Sequence, residues 1–136
     1  MKKKILIVSA NYYKDISKSL LTSAKTQLTK INLKIKIIEV PGIFEVPVTI
    51  VKNINKYDGF IALGCVIQGQ TPHFKFISKS VTDSIMNISV KHKKPIGNGI
   101  LTCLDKRQAK ARSGSFNKVG KGTEAAKAVL SVLNNF

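Results

Sequence analysis

The sequence predicts an α/β domain in which a parallel sheet is covered by helices on both faces. Three observations predict it. Apolar, β-branched runs alternate with amphipathic stretches almost from end to end, the pattern of repeated strand–crossover–strand units. The runs over residues 4–10 and 59–63 carry almost no polar residue, as strands buried on both faces require. Gly- or Pro-bearing corners follow the runs that end at Val40 and Leu63, where such a sheet presents the carboxyl edge that binds ligands.

The elements follow in order. Lys4 to Ala10 is the first strand, and Asn11-Tyr12-Tyr13-Lys14 is its exit loop. Asp15 is placed to cap the next helix, whose apolar face is Ile16, Leu20, Ala24, Leu28 and Ile31. Leu33 to Val40 alternates with lysines and reads as an edge strand. Pro41-Gly42 turns the chain, and Pro47 is tolerated only in a first helical turn, so Glu45 falls near a helix start. Gly59 to Leu63 is the third strand, and His73 to His92 is a helix with Phe76, Ile77, Val81, Ile85, Met86 and Ile88 as its apolar residues. Ile96 to Cys103 is the fourth strand, where Gly97 and Gly99 signal a bulge or the close approach of another group. Asp105 can cap a short helix through Lys110, and Glu124 to Phe136 is the last helix. Right-handed crossovers then give a three-layer α/β/α sandwich with four parallel strands in the flavodoxin-like order 2-1-3-4. The 136 residues suit one domain, 1–136, and 43 % hydrophobic content excludes a disordered chain.

The corner after the third strand organises the rest: Gly64-Cys65-Val66-Ile67-Gln68-Gly69-Gln70-Thr71-Pro72-His73-Phe74. Its backbone N–H groups and the helix start suit an anion, and His73 stands at the mouth. Taken alone, the stretch reads first as structure, with glycines for the turn, Pro72 to begin a helix and His73 as a cap or surface residue. Glu45 alone is equally well a carboxylate favoured by a helix N-terminus.

Composition narrows the function. No apolar run approaches the roughly 18 residues of a membrane span, and the apolar part of the N-terminus is too short for an export signal. The expected compartment is therefore cytoplasmic, with Cys65 and Cys103 reduced. No His or acidic residue has metal-ligand spacing to either cysteine, so zinc is not expected. The net charge of +16 invites a nucleic-acid reading. However, lysines are scattered along the whole chain, Arg107 and Arg112 are the only arginines, and aromatics do not interleave with the basic residues. A solvated lysine surface without a nucleic-acid or membrane partner is the expectation.

Several motifs, in order and across nearly the whole chain, resemble the 6,7-dimethyl-8-ribityllumazine synthase family. They are Val40-Pro41-Gly42-Ile43-Phe44-Glu45-Val46-Pro47, Gly69-Gln70-Thr71-Pro72-His73-Phe74 and Gly99-Ile100-Leu101-Thr102. Gln108-Ala109 with Arg112, and Lys121-Gly122 with Glu124-Ala125-Ala126, complete the set. The resemblance implies a transferase of riboflavin synthesis that joins a ribitylamino-pyrimidinedione amine to a dihydroxybutanone phosphate, with no cofactor. It implies that Tyr12 stacks on the pyrimidine, that Phe44 and Glu45 line the ribityl pocket, and that Val66 and Ile67 also contact substrate. Gly69, Gln70 and Thr71 would receive phosphate, Arg112 would pair with it bidentately, and His73 would move protons, a task suited to imidazole. Lys121 and Glu124 would support the site.

The resemblance has departures. Gln68 stands where many members carry Arg, and Gly120 where an Asn usually precedes the Lys. Asn98 stands where many carry an aromatic, so it is expected to hydrogen-bond the pyrimidine in place of packing on it. The resemblance further implies a homo-oligomer with sites between neighbouring subunits. The short N-terminus and the longer 112–121 segment favour a pentamer over larger shells. Two other readings compete: a non-catalytic flavin- or lumazine-binding protein, and a basic nucleic-acid-associated protein.

Overall fold

A computed structural model describes residues 2–69, 73–114 and 120–134. Its elements are β1 (Lys3–Ala10), α1 (Lys14–Leu28), β2 (Leu33–Val40), a 3₁₀ turn (Ile43–Glu45), α2 (Val46–Lys52), β3 (Gly59–Ile67), α3 (His73–His92), β4 (Ile96–Cys103), α4 (Lys106–Arg112) and α5 (Lys121–Leu133). The four strands form one sheet in the order β2-β1-β3-β4, and every pairing is parallel. The predicted sandwich and strand order are therefore observed.

Each face of the sheet has its own core. Ile5, Ile7, Ile61, Leu63 and Leu101 point one way and pack with Ile16, Leu20, Ala24 and Leu28 of α1 and Ala125, Ala126 and Val129 of α5. Leu6, Val8, Phe60, Ala62 and Ile100 point the other way, onto Val46 and Ile50 of α2 and Val81 and Ile85 of α3. The period-two alternation of a strand produces this division. Each large side chain so buried contributes roughly 1.5–3 kcal/mol.

The close approach expected at β4 is real. A Cβ on Gly97 would collide with the Ala125 carbonyl of α5, and one on Gly99 would meet the Ala62 carbonyl at 2.9 Å. Helix α5 therefore lies with its backbone directly on β4. α3 stops in a left-handed cap: Lys93 takes φ 55°, the Lys94 N–H donates to the Ser89 carbonyl at 3.2 Å, and Pro95 follows. The Lys94 ammonium donates to the carbonyls of Ile54 and Tyr57 at 2.6 and 2.9 Å, fixing the turn after α2.

Some local expectations are corrected. Asp15 does not cap α1. The helix begins at Lys14, with Tyr13 at the N-cap position, and Asp15 lies in the first turn, 3.8 Å from Lys106 and 4.0 Å from Lys110 of α4. Ile31 lies beyond α1 and is exposed. Phe76 and Met86 are also exposed, because only Val81 and Ile85 of α3 are fully covered by the chain's own core. Among the described residues no helix is long and apolar enough to cross a membrane.

Candidate active site

Parallel strands deliver all four exit loops to the carboxyl edge of the sheet, and the predicted site residues meet there or along the open edge of β4. After β1, Tyr12 stands 74 % exposed, held edge-on to Tyr13 with ring centroids 4.9 Å apart. Tyr13 packs against the core beside Cys65, and burial, with that thiol adding to it, raises its phenol pKa. Asn11 donates to the Glu39 carboxylate at 3.4 Å and its N–H to the Val40 carbonyl at 2.9 Å, tying the β1 and β2 exits together.

After β2, Pro41-Gly42 leads into the 3₁₀ turn, which exposes Phe44 and leaves Glu45 half-buried. Pro47 sits at the start of α2, the position its missing N–H allows. After β3, Val66 and Ile67 are half-buried at the strand end, Gly69 is exposed, and His73 is exposed as the first residue of α3. Among the described residues nothing lies within 4 Å of a Cβ built on Gly69. Gln70 and Thr71 lie outside the described residues.

The other predicted residues gather along β4. Arg112 ends α4, while Lys121 and Glu124 open α5. All three line a cavity of about 440 Å³, with Ile100, Leu101, Thr102 and Ala111 as its walls. Thr102 and Ala111 were not among the candidate residues. The period-two pattern of β4 held the signal for Thr102, since Asn98 and Thr102 are the two exposed residues of that strand. Asn98 uses its Oδ1 to accept from the Ile100 N–H at 3.0 Å, so its oxygen is engaged by its own strand. Gly120 has a local reason to replace Asn: a Cβ there would meet the Ser113 carbonyl at 2.6 Å.

Arg112 also reaches the Cys103 thiol beneath it. Burial raises the Cys103 pKa, and Arg112 opposes the rise. Burial, with Cys103 adjoining, pushes the Cys65 thiol up to about 12. Cys65 therefore stays protonated at neutral pH and cannot serve as a nucleophile. No group of three or more metal-ligating side chains occurs among the described residues. The arrangement thus offers an exposed aromatic, a carboxylate and an imidazole on one side, and a cationic cavity on the other.

Comparison with known sequences agrees. The family profile described as 6,7-dimethyl-8-ribityllumazine synthase matches residues 2–136. The chain belongs to the 6,7-dimethyl-8-ribityllumazine synthase family. Among curated lumazine synthases, that of Rhodopseudomonas palustris is 38 % identical over 94 % of this chain and 82 % of its own length. That of Bartonella tribocorum is 38 % identical over the whole of this chain and 95 % of its own. That of Afipia carboxidovorans is 39 % identical over 90 % of this chain and 81 % of its own. As a lumazine synthase family member, the chain carries the family's motif positions on the sheet edge and along β4.

Proposed function

We propose that this chain condenses 5-amino-6-(D-ribitylamino)uracil with 3,4-dihydroxy-2-butanone 4-phosphate. The products are 6,7-dimethyl-8-ribityllumazine, phosphate and water, in the penultimate step of riboflavin synthesis. The observation that carries this reading is the gathering of Arg112, Lys121 and Glu124 about one cavity in a chain whose whole length matches the family.

The pyrimidine amine attacks the ketone carbon, and water leaves to give an imine. The carbon bearing the neighbouring hydroxyl then loses its proton, that electron pair expels phosphate from the adjacent carbon, and the enol left behind becomes a carbonyl beside a new methyl group. The ribityl-bearing nitrogen closes the ring on the remaining carbonyl, and a second water is lost. Tyr12 stacks on the pyrimidine, and Phe44 and Glu45, with Val66 and Ile67 at the strand end, hold the ribityl chain. The Gly69-Gln70-Thr71 loop and Arg112 bind phosphate, the guanidinium as a bidentate fork. His73 carries protons at imine formation and phosphate loss. Asn98 faces the pyrimidine, while Lys121 and Glu124 set the charge around Arg112. Because an amine and a ketone react unaided, most of the rate gain is positional, on the order of 7–11 kcal/mol at best.

The working form is a cytoplasmic homopentamer whose site forms between neighbouring chains, one supplying His73 and Tyr12, the other Asn98 and Arg112. Two features support this. Among the described residues, those lining the Arg112 cavity all come from β4, α4 and α5. In addition, Phe44, Val48 and Val51 line an apolar groove of about 390 Å³ between α2 and α3, with Phe76, Met86 and Val90 exposed on α3. So much exposed apolar surface is unusual for a monomer.

Mixing both substrates with the purified protein tests the activity. The appearance of lumazine absorbance and fluorescence, dependent on both substrates, is the expected result. Binding of lumazine or flavin without product would instead identify a non-catalytic binding protein.

A further inference from the structure

The lysines that look dispersed in the sequence are gathered by the fold. A parallel sheet returns every helix C-terminus to the amino edge of the strands, opposite the candidate site. Lys2, Lys3 and Lys4 enter β1 there, Lys30 and Lys34 flank the entry to β2, and all five are exposed. Exposed Lys52 and Lys56 lead into β3, and exposed Lys91 and Lys93 lead into β4. Of the seven acidic residues in the chain, only Asp58 lies at this edge, and it accepts from the Lys4 N–H at 2.8 Å. Asp83 pairs with Lys79 in the middle of α3. The other five, Asp15, Glu39, Glu45, Asp105 and Glu124, lie toward the carboxyl edge.

Complementing helix dipoles accounts for only part of this pattern. Lys52 and Lys91 are in last helical turns. Lys30 and Lys93 follow the ends of α1 and α3 closely, where the same dipoles favour a cation, but Lys2, Lys3, Lys4, Lys34 and Lys56 lie at strand entries or in a connection. Nine exposed ammonium groups facing one carboxylate create a field that attracts polyanions.

We propose that the amino edge of the sheet binds the phosphate backbone of nucleic acid without sequence selection. Lysine is a point charge suited to phosphate, and both arginines, the better base readers, lie on α4 at the opposite end. An anionic membrane is the poorer fit: the large apolar residues exposed at this edge among the described residues, Ile31, Val51, Val90 and Val132, are short aliphatics from four separate segments and include no aromatic anchor.

The test uses the full-length protein, a labelled 20-nucleotide RNA of mixed sequence, and fluorescence anisotropy at several salt concentrations. Engagement of about six phosphates predicts a loss of roughly 300-fold in affinity between 50 and 200 mM salt. The triple variant Lys30→Gln, Lys56→Gln, Lys91→Gln should weaken binding at least ~30-fold and lower the salt slope by about 2. The charge-matched variant Lys18→Gln, Lys36→Gln, Lys127→Gln, away from this edge, should lose less than ~3-fold. Condensation activity should stay unchanged in both, confirming that they fold. No RNA binding at 50 mM salt, equal losses in the two variants, or tighter binding to phosphatidylserine vesicles than to RNA would each overturn the proposal.

Discussion

Asp105 and Gln108 brace the start of α4 reciprocally: the Asp105 carboxylate accepts from the Gln108 N–H at 2.8 Å, and Gln108 Oε1 accepts from the Leu104 N–H at 2.9 Å. This pair is a capping-box variant, and it holds the seven-residue helix that ends in Arg112. Asp105→Ala should cost about 1 kcal/mol of stability. It should also loosen Arg112, raising KM for the phosphate substrate about threefold with little change in kcat. Denaturant unfolding and kinetics with each substrate varied would check both. A loss of stability with an unchanged KM would separate the cap from the site.

Arg112 and His73 should fail in different ways. On the proposed roles, Arg112→Ala removes a charge-assisted fork to phosphate, so KM for the butanone phosphate should rise at least ~10-fold. On the same roles His73→Ala removes only proton transfer, so kcat should fall by roughly 100-fold or more while measurable turnover persists. Steady-state kinetics would decide, and unchanged affinity for the phosphate substrate in the Arg112 variant would refute its assigned role.

Gly97 is where α5 meets the sheet by its backbone. Gly97→Ala forces the methyl into the Ala125 carbonyl, and neither β4 nor α5 can move without disturbing the Arg112 cavity. A destabilisation of about 3 kcal/mol is expected, read as a lower denaturant midpoint. Ala tolerated there at full stability would contradict the backbone-on-strand contact.

Cys65 predicts a pH dependence. Its folded pKa is raised from 9.0 to about 12, so the native state keeps a proton that the unfolded chain releases. This contribution is fully present below the unfolded pKa and is lost as pH rises from about 9 toward 12. Cys65→Ala should therefore flatten the decline in stability over that window. Denaturant midpoints of both proteins at pH 7, 9 and 10.5 would measure the difference, and parallel declines would rule the thiol out.

Much of this fold was legible in residue patterns because its determinants are local. β2, α3 and β4 begin and end where the alternation, the caps and Pro95 place them. Asp15 was misread because capping depends on one backbone conformation, which a carboxylate near a helix start does not specify. Phe76 and Met86 belong to the apolar set of α3 yet stay exposed, because periodicity marks an apolar face without naming what covers it. The motif positions of the site and the strand order that leaves β4 at the edge could be read, but not the cavity shared by Arg112, Lys121 and Glu124, because that depends on how α4 and α5 pack on β4. Thr102 and the contact between Arg112 and Cys103 needed the same information. The lysine cluster was invisible for a related reason: residues far apart in the chain meet only because parallel strands all begin at one edge.

The most direct measurement is activity after subunit mixing. His73→Ala and Arg112→Ala chains, each weakly active alone, are unfolded together in equal amounts and refolded. If one chain supplies the imidazole and its neighbour the guanidinium, random assembly of the ring leaves about a quarter of the sites with both, and activity should recover to about a quarter of the wild-type rate. Activity no higher than the average of the two variants would place both residues in one chain's site and contradict the shared arrangement.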